Sequence, residues 1–416
     1  ASPFTGRGSI MSASMLLALT SHGNAPYLMA ARLASALGRI QVIIPDYYQE
    51  TQRRIILEEL PDCGSFVWFS RELGEILYPL LLDVSNGSSF GKFGKTLAEP
   101  DNPQGVLAIE NRLYHVLQNG LLIESMDGKA KRKVYQKDLC GVLNSTLPIR
   151  AGVANHIFFF TGMMSHLYGT LPPGDTSPES LRTLEDLHAY SQIWRNVEDT
   201  YSMSFIPRIN AFSYTSESTK GVIPTPPLAF RRQKVQNLDE PSLLFIPSGT
   251  RTDVRALNRL ANQPLVGCKR LIMGYSRESS DFSEKEFSRV NATVFGDPLL
   301  KGVVSRGGWG TIWECICNGI PMAVPRLDFS DDPEIGHTQL ALHHKGIGMI
   351  LDDDIEPFLD SSIREKMTEE IERIQTEDKR IFGFLSEDGF SFMALKILEM
   401  YPEWMEYSQT KEAING

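Results

Sequence analysis

The chain has 416 residues, which is more than one hydrophobic core usually supports, so we expect at least two domains. Hydrophobic residues make up 42% of the sequence and charged residues 22%, a composition that excludes a largely disordered chain. The formal net charge of −10 disfavours general binding to nucleic acid or to anionic lipid, although it leaves room for a local basic pocket.

The sequence contains neither a membrane-spanning segment nor a disulfide framework. No apolar run approaches the roughly 18 residues that cross a bilayer. The five cysteines are scattered without the paired spacing of a zinc site, which indicates a reducing compartment and predicts a cytoplasmic protein. Residues 1–10 are interpreted as a cloning remnant ahead of a natural start at Met11.

The first predicted elements form a βαβ unit. Residues 15–19 are an apolar strand, a loop with His22 follows, and the apolar spacing beyond it predicts a helix that ends at Gly38. Residues 41–44 then form a second strand. Such a unit implies a parallel sheet, and a ligand is expected beyond the carboxyl ends of its strands.

The middle of the chain has weaker patterns. Residues 83–105 contain several glycines and prolines and predict a long polar loop. Residues 91–96 end like a P-loop, but the leading glycine is missing and Pro100 follows closely. We therefore reject nucleoside-triphosphate hydrolysis and expect a mobile loop there, on the acceptor side. The apolar residues 157–160 and Trp194 suit an acceptor pocket or an ordinary core, and the core is preferred.

Alternating strands and helices begin again in the second half of the chain. Strands are predicted at 243–246, 269–274, 290–295 and 302–305, and helices at 363–374 and 390–401. The expected fold class is α/β, with two Rossmann-like doubly wound domains that face each other across a cleft. The predicted segments are 11–225 for the first domain, 226–240 for the linker, 241–385 for the second domain and 386–416 for a terminal helical segment.

One glycine-rich segment contains the clearest chemical pattern. It reads Arg306-Gly307-Gly308-Trp309-Gly310-Thr311, with a buried strand before it and a helix that begins near its end. Glycines let the backbone approach a ligand, and the free N–H groups of a helix start bind phosphate. Arg306 adds a positive charge, and Glu314 lies one turn into the helix, where it can accept hydrogen bonds from a ribose diol. A tight turn with a solvated arginine is the alternative.

This segment resembles the donor-binding signature of the UDP-glycosyltransferases and of the related peptidoglycan N-acetylglucosaminyltransferases, which have the two-domain GT-B fold. In that family a His precedes the glycines, where Arg306 stands here, and the ribose-binding Glu follows eight residues later, as Glu314 does. A second phosphate-contacting loop of the family corresponds to Ser248, Gly249 and Thr250. The last predicted helix is similar to the family's C-terminal helix, which crosses back to the first domain.

The sequence departs from the family pattern in two places, and a further residue, His22, resembles the family's catalytic base. Arg306 keeps the positive charge of the usual His, so diphosphate binding is expected to survive. The family's sugar-contacting Asp-Gln pair is not evident, and Asp328, Asp332 or Glu334 are candidates, with a solvated acidic loop as the alternative. His22 resembles the catalytic His that deprotonates the acceptor, and a histidine that caps the helix is the alternative.

The resemblance implies an inverting, metal-independent glycosyltransferase. It would move a sugar from a nucleotide-diphosphate donor, expected to be a UDP-sugar, to a hydroxyl of a small-molecule or lipid acceptor. The UDP-sugar is a co-substrate, no cofactor, metal or nucleic acid is expected, and peripheral membrane contact stays open. Two alternatives are a UDP-sugar epimerase on the same fold and a non-catalytic nucleotide-binding partner subunit. Cys315 and Cys317 face different sides of one helix and are interpreted as core.

Overall fold

The computed structural model describes residues 15–47, 49–81, 89–215, 221–247, 251–273 and 287–404. Within these ranges the strands form one nine-stranded and one six-stranded sheet, and helices flank both. The expected α/β class, with two doubly wound domains, is therefore confirmed. The expectations for residues 1–10 and 248–250 lie outside the described residues.

The first sheet has a central parallel part with an antiparallel extension at one edge. Its described strands are β1 Met15–Leu19, β2 Gln41–Pro45, β3 Val67–Ser70, β4 Leu121–Ser125, β5 Lys131–Val134, β6 Leu139–Asn144, β7 His156–Phe159, β8 Met203–Pro207 and β9 Val222–Thr225. The order is β5-β4-β3-β2-β1-β6-β7-β8-β9, and β4 is antiparallel to both of its neighbours. Because the order reverses between β1 and β6, the loops after these two strands open a crevice at the carboxyl edge.

Helices cover both faces of this sheet. They are α1 Asn24–Ala36, α2 Gln49–Glu59, α3 Arg71–Leu77, α4 Phe90–Ala98, α5 Val106–Asn119, α6 Met164–Gly169 and α7 Pro178–Glu198. Strand β1 is buried along its whole length, and its side chains alternate between two cores. Leu16 packs on the side of α1 and α2, whereas Leu17 packs on the side of α3, α5 and α7. The predicted βαβ unit is confirmed.

The loop predicted over residues 83–105 is wrong where α4 lies. Ser89 caps this helix, since its Oγ accepts the N–H of Lys92 at 3.4 Å. A Cβ added to Gly94 would lie 2.5 Å from Cδ2 of Leu187 in α7. The glycines that suggested a loop therefore allow two helices to pack closely.

The second sheet is entirely parallel in its described part. Its strands are β10 Ser242–Ile246, β11 Lys269–Ile272, β12 Ser288–Arg289, β13 Leu300–Ser305, β14 Met322–Pro325 and β15 Gly348–Leu351, in the order β12-β11-β10-β13-β14-β15. Its helices are α8 Arg251–Ala261, α9 Trp309–Asn318, α10 Pro333–Lys345, α11 Glu356–Leu359, α12 Ser361–Phe382 and α13 Gly389–Met400. The order reverses between β10 and β13, so a second crevice opens after these two strands.

One predicted strand of this domain is wrong. Residues 292–296 form a 3₁₀ helix, and β12 ends before them. The side chain of Asn291 accepts the N–H of Thr293 at 3.0 Å, which caps the turn and stops the strand.

The last helix, α13, packs against α1 and β9 of the first domain. Its apolar side is buried at Phe390, Met393 and Ile397, as the helical spacing predicted. The chain thus ends its described part in contact with the domain where it began. Among the described helices, none is long and apolar enough to cross a membrane.

Candidate functional site

The starts of α1 and α9 meet where the reversal points of the two sheets face each other. Helix α1 follows the loop after β1, and α9 begins within the glycine-rich segment after β13. A Cβ added to Gly310 would lie 2.8 Å from the Cβ of Ala25 and 3.6 Å from the Cε of Met29. Because Gly310 has no side chain, the two helix starts contact each other directly. His22 therefore lies at the same end of this helix pair as the glycine-rich segment.

The glycine-rich segment has the backbone of a tight turn into a helix. Gly307 has a φ of +96°, and a Cβ there would lie 3.2 Å from Cγ1 of Val324. The N–H of Gly307 donates to Oγ of Ser305 at 3.2 Å. Gly308 is the N-cap residue of α9, and within the described structure no side chain caps this helix. The first N–H groups of α9 are thus available to an anion.

Two other residues of the segment differ in their exposure. Thr311 is half-buried in the first turn of α9. Trp309 is only 2% exposed, and its indole N–H donates to Oγ1 of Thr338 at 2.8 Å. Its side chain therefore bonds to α10. The contact predicted between Trp309 and the nucleotide sugar remains a prediction for its backbone N–H group.

Arg306 is held by Asp332, the residue that caps the start of α10. Its Nη1 lies 2.9 Å from Oδ2 of Asp332, and 24% of its side chain stays exposed. Oδ1 of Asp332 also accepts the N–H groups of Glu334 and Ile335, at 3.0 and 3.4 Å, and so caps α10. Burial raises the pKa of Asp332, although Arg306 and these N–H groups oppose the shift. Asp332 therefore orients Arg306 and starts α10.

The other acidic candidates lie around the same helix start. Asp328 is exposed, and its N–H donates to Oδ2 of Asp331 at 3.1 Å. Desolvation and the neighbouring Asp331 carboxylate raise the pKa of Asp328. Glu334 is half-buried in the first turn of α10. Contacts from Asp328 or Glu334 to a sugar remain predictions.

Glu314 lies in a buried group of four charged side chains, which we call the ion cluster: Arg32 from α1, Glu59 from α2, Arg232 from the segment between β9 and β10, and Glu314 from α9. Oε1 of Glu314 accepts from Nη2 of Arg232 at 2.8 Å and from Nη2 of Arg32 at 3.2 Å. Its Oε2 accepts from Nε of Arg232 at 3.2 Å. The carboxylate that was expected to receive a ribose diol is thus occupied by two arginines.

The same two arginines also bind Glu59. Nη2 of Arg32 and Nη1 of Arg232 lie 2.8 and 2.9 Å from Oε2 of Glu59. Burial alone would raise the pKa of Glu59, but the two guanidinium groups outweigh it and the pKa is lowered. The centroid of the Phe230 ring lies 4.6 Å from Cζ of Arg32 and 4.5 Å from Cζ of Arg232, so both guanidinium groups contact this one aromatic ring.

A buried histidine that the sequence analysis did not single out joins α10 to the first domain. His337 is fully buried; its Nδ1 lies 2.7 Å from the Tyr214 hydroxyl and its Nε2 3.0 Å from the Thr170 carbonyl oxygen. Since a carbonyl only accepts, Nε2 carries the proton and Nδ1 accepts from Tyr214. Burial lowers the pKa of His337 to about 4, so the ring is neutral near pH 7. No spacing pattern could have found it, because its partners are distant in sequence.

Several further expectations concern the interior. Cys315 and Cys317 are buried, which confirms that they belong to the core. Residues 157–160 and Trp194 are buried as well, so the preferred core interpretation of these residues is also confirmed. In the part of the chain that the structure describes, no group of three or more His, Cys, Asp or Glu is placed to bind a metal ion.

Comparison with solved structures identifies the fold. The glycosyltransferase SnogD from Streptomyces nogalater aligns with a TM-score of 0.54 at 13% identity, over 93% of this chain and 100% of its own. UGT2 of Phytolacca americana, complexed with UDP-2fluoro-glucose and pterostilbene, aligns with a TM-score of 0.55 at 15% identity, over 94% and 100%. The glycosyltransferase SsfS6 of Streptomyces sp. SF2575, complexed with thymidine diphosphate, aligns with a TM-score of 0.53 at 13% identity, over 93% and 99%.

This chain therefore has the GT-B fold that the glycine-rich segment predicted. No protein-family model matches the sequence, and the comparison with curated proteins gives no match either.

Proposed function

We propose that this protein is an inverting, metal-independent glycosyltransferase that uses a nucleotide-diphosphate sugar, with a UDP-sugar as the first candidate. The observation that carries the proposal is the direct contact between the starts of α1 and α9. It brings a loop with a histidine and the glycine-rich turn before α9 to one end of a helix pair, on a fold shared with glycosyltransferases. The acceptor is a hydroxyl of a small molecule or lipid.

The residues at this end supply a base and a charge stabiliser. His22 accepts the proton of the acceptor hydroxyl while the acceptor oxygen attacks the anomeric carbon of the donor sugar. The bond from that carbon to the diphosphate oxygen breaks, and negative charge collects on the leaving diphosphate. The N–H groups at the start of α9 and the positive end of its dipole stabilise that charge. A proton acceptor and an anion site are the two functions that the transfer requires.

Arg306 adds a permanent positive charge to the anion site. Asp332 fixes one nitrogen of its guanidinium at 2.9 Å, and the side chain remains partly exposed. A guanidinium stays protonated throughout the physiological range, unlike the histidine that is usual in the family. Diphosphate binding should therefore depend little on pH between 6 and 8 as far as Arg306 is concerned.

The first test is calorimetric titration with UDP, with ADP and GDP as base controls. UDP should bind, and Arg306→Gln should weaken it about tenfold or more, because a charge-assisted contact to phosphate is lost. The matched control is Arg326→Gln, which follows the neighbouring strand β14 and is 57% exposed beside Asp352. It should leave the affinity unchanged. Failure of every nucleotide to bind would reject the glycosyltransferase proposal.

A second experiment separates the proposal from its two alternatives. With a UDP-sugar and a panel of hydroxyl acceptors, the protein should release UDP and a glycoside. His22→Ala should abolish transfer but still bind UDP, since the histidine acts on the acceptor. An epimerised nucleotide sugar as the product would identify an epimerase instead. UDP binding with no turnover in any assay would favour the non-catalytic partner subunit.

A further inference from the structure

The ion cluster uses most of the hydrogen-bonding capacity of Glu314. An ionised carboxylate offers about four acceptor positions on its two oxygens. Two arginine N–H groups bind Oε1 and one binds Oε2, so three of those positions are filled. A ribose presents two neighbouring hydroxyls. Glu314 thus cannot accept both of them while the cluster is intact.

Replacing the arginines by a ribose would be unfavourable. The side chains of Arg32, Glu59, Arg232 and Glu314 are 8 to 11% exposed, and their charges balance as two positive and two negative. If the Glu314 carboxylate left the arginines to bind the neutral hydroxyls of a ribose, the two guanidinium groups would have only Glu59 as a partner within the cluster. Charge-assisted bonds to arginine are stronger than bonds from neutral hydroxyls, especially away from water. The exchange therefore opposes donor binding.

The cluster also joins the two domains, which gives Glu314 a different task. Arg32 lies on α1, the helix that follows the His22 loop, whereas Glu314 lies on α9, the helix that begins in the glycine-rich segment. Arg232 binds Glu314 and also reaches Glu59. The bonds between Glu314 and the arginines thus hold α1 and α9 side by side, one turn beyond the contact along α9 and two turns beyond it along α1.

We propose that Glu314 serves this domain contact and does not read the ribose, so that the protein accepts 2′-deoxyribonucleotide donors about as well as ribonucleotide donors. The proposal rests on the proposed glycosyltransferase function and specifies its donor class. Thymidine-diphosphate sugars are such 2′-deoxy donors. Two solved structures of this fold hold a thymidine diphosphate and a UDP-sugar analogue, so the fold accommodates both kinds of nucleotide.

The test compares UDP, 2′-deoxy-UDP and 3′-deoxy-UDP by calorimetry on the full chain. Each analogue should bind within about threefold of UDP, because the Glu314 carboxylate, which the two arginines occupy, loses no hydrogen bond when a ribose hydroxyl is removed. A carboxylate that reads the missing hydroxyl would weaken binding about tenfold or more, and that result with either analogue would overturn the proposal. If none of the three nucleotides binds, the proposed function fails first, so the two failures are distinguishable.

The variant Glu314→Gln tests whether this residue causes any difference in affinity between UDP and 2′-deoxy-UDP. In Glu314→Gln the ratio of the UDP and 2′-deoxy-UDP dissociation constants should equal that of the unaltered protein, while the melting temperature falls. A ratio that changes in the variant would show that the carboxylate contacts the ribose and would reject the proposal. TDP then serves as a donor-class check, and it should compete with UDP for the same site.

Discussion

The two contacts between α1 and α9 are built from opposite kinds of residue. At the helix starts, Ala25 meets Gly310, where even a methyl group on the glycine would lie 2.8 Å from its neighbour. One turn further along α9 and two turns further along α1, the ion cluster places four charged side chains in the interior. The first contact depends on shape and leaves backbone N–H groups open to an anion. The second depends on charge and fixes which faces of the helices meet.

This difference assigns separate tasks to neighbouring parts of one helix. A buried ion cluster is weak evidence for stability, because burying charges offsets their attraction, but breaking one leaves charge without compensation. We therefore expect the ion cluster to determine how the domains are oriented. The close contact between Ala25 and Gly310 determines where the proposed anion site lies relative to His22. Substitutions should separate these two contributions.

The largest effect is expected from breaking the ion cluster. Arg232→Ala leaves two buried carboxylates, Glu59 and Glu314, with Arg32, and should destabilise the protein by about 3–5 kcal/mol in urea unfolding. Arg39→Ala is the control, since its pair with Asp62 is exposed at both ends, and it should change stability by less than about 1 kcal/mol. Equal effects of the two variants would show that the cluster is well solvated.

A double substitution sharpens that result. Replacing Arg232 and Glu314 together by Leu removes one positive and one negative charge, so the Arg32–Glu59 pair stays neutral. Its destabilisation should be smaller than that of Arg232→Ala, because no buried charge is left unpaired. A double variant less stable than the single one would mean that the hydrogen-bond geometry matters more than charge balance.

Acidification should weaken a third interdomain contact, the one that His337 makes with Tyr214 and Thr170. The folded-state pKa of His337 is lowered to about 4, against an ordinary value of 6.5, so the unfolded chain binds the proton first as pH falls. Stability is therefore full above pH 6.5 and declines by up to about 3 kcal/mol toward pH 4. The pKa of Glu59 is lowered by the two guanidinium groups, so this carboxylate stays ionised further into the acid range than an ordinary glutamate.

The measurement is urea unfolding at pH 7 and at pH 4.5 for the unaltered protein and for His337→Gln. The amide can still donate to Thr170 and accept from Tyr214, but it does not titrate. The loss of stability on acidification should be clearly smaller in the variant. The same loss in both proteins would assign the acid sensitivity to other groups.

The shape contact should be less costly to disturb. Gly310→Ala places a methyl group against Ala25 and should destabilise the protein by about 1–3 kcal/mol, as overpacking does. It should also weaken UDP binding, because α1 and α9 must separate. Ala25→Gly in the same chain should restore both properties. Gly64→Ala is the control, since a Cβ there meets nothing within 4 Å; a Gly310→Ala as mild as that control would contradict the close contact.

Much of this architecture could be predicted because patterns of residues that are close in sequence determine it. The apolar run of β1, the glycines at 307–310 and the helical spacing in α13 each specify structure through residues that are close in sequence. The same glycine rule failed at α4, since Gly91 and Gly94 serve helix packing rather than a turn. Whether a glycine means a loop or a close contact depends on the partner element.

The interdomain part of the candidate site could not be predicted for a related reason. Glu314 was singled out by its spacing, but its partners Arg32 and Arg232 come from other elements, as does Glu59, which binds the same arginines, and no local pattern connects them. His337 is a similar case, since Tyr214 and Thr170 belong to the other domain. Sequence spacing finds residues that act with their own helix. It does not find those whose chemistry depends on a second domain.

The smallest expected effect separates side-chain from backbone contributions in the glycine-rich segment. Trp309→Phe keeps an aromatic ring in the core but removes the indole N–H bond to Oγ1 of Thr338 at 2.8 Å. Losing this buried bond should cost about 1 kcal/mol of stability, somewhat more if the hydroxyl finds no new partner. UDP affinity should stay within about twofold, because the N–H groups of α9 that face the anion belong to the backbone. A large loss of UDP affinity with unchanged stability would mean that the indole itself contacts the nucleotide.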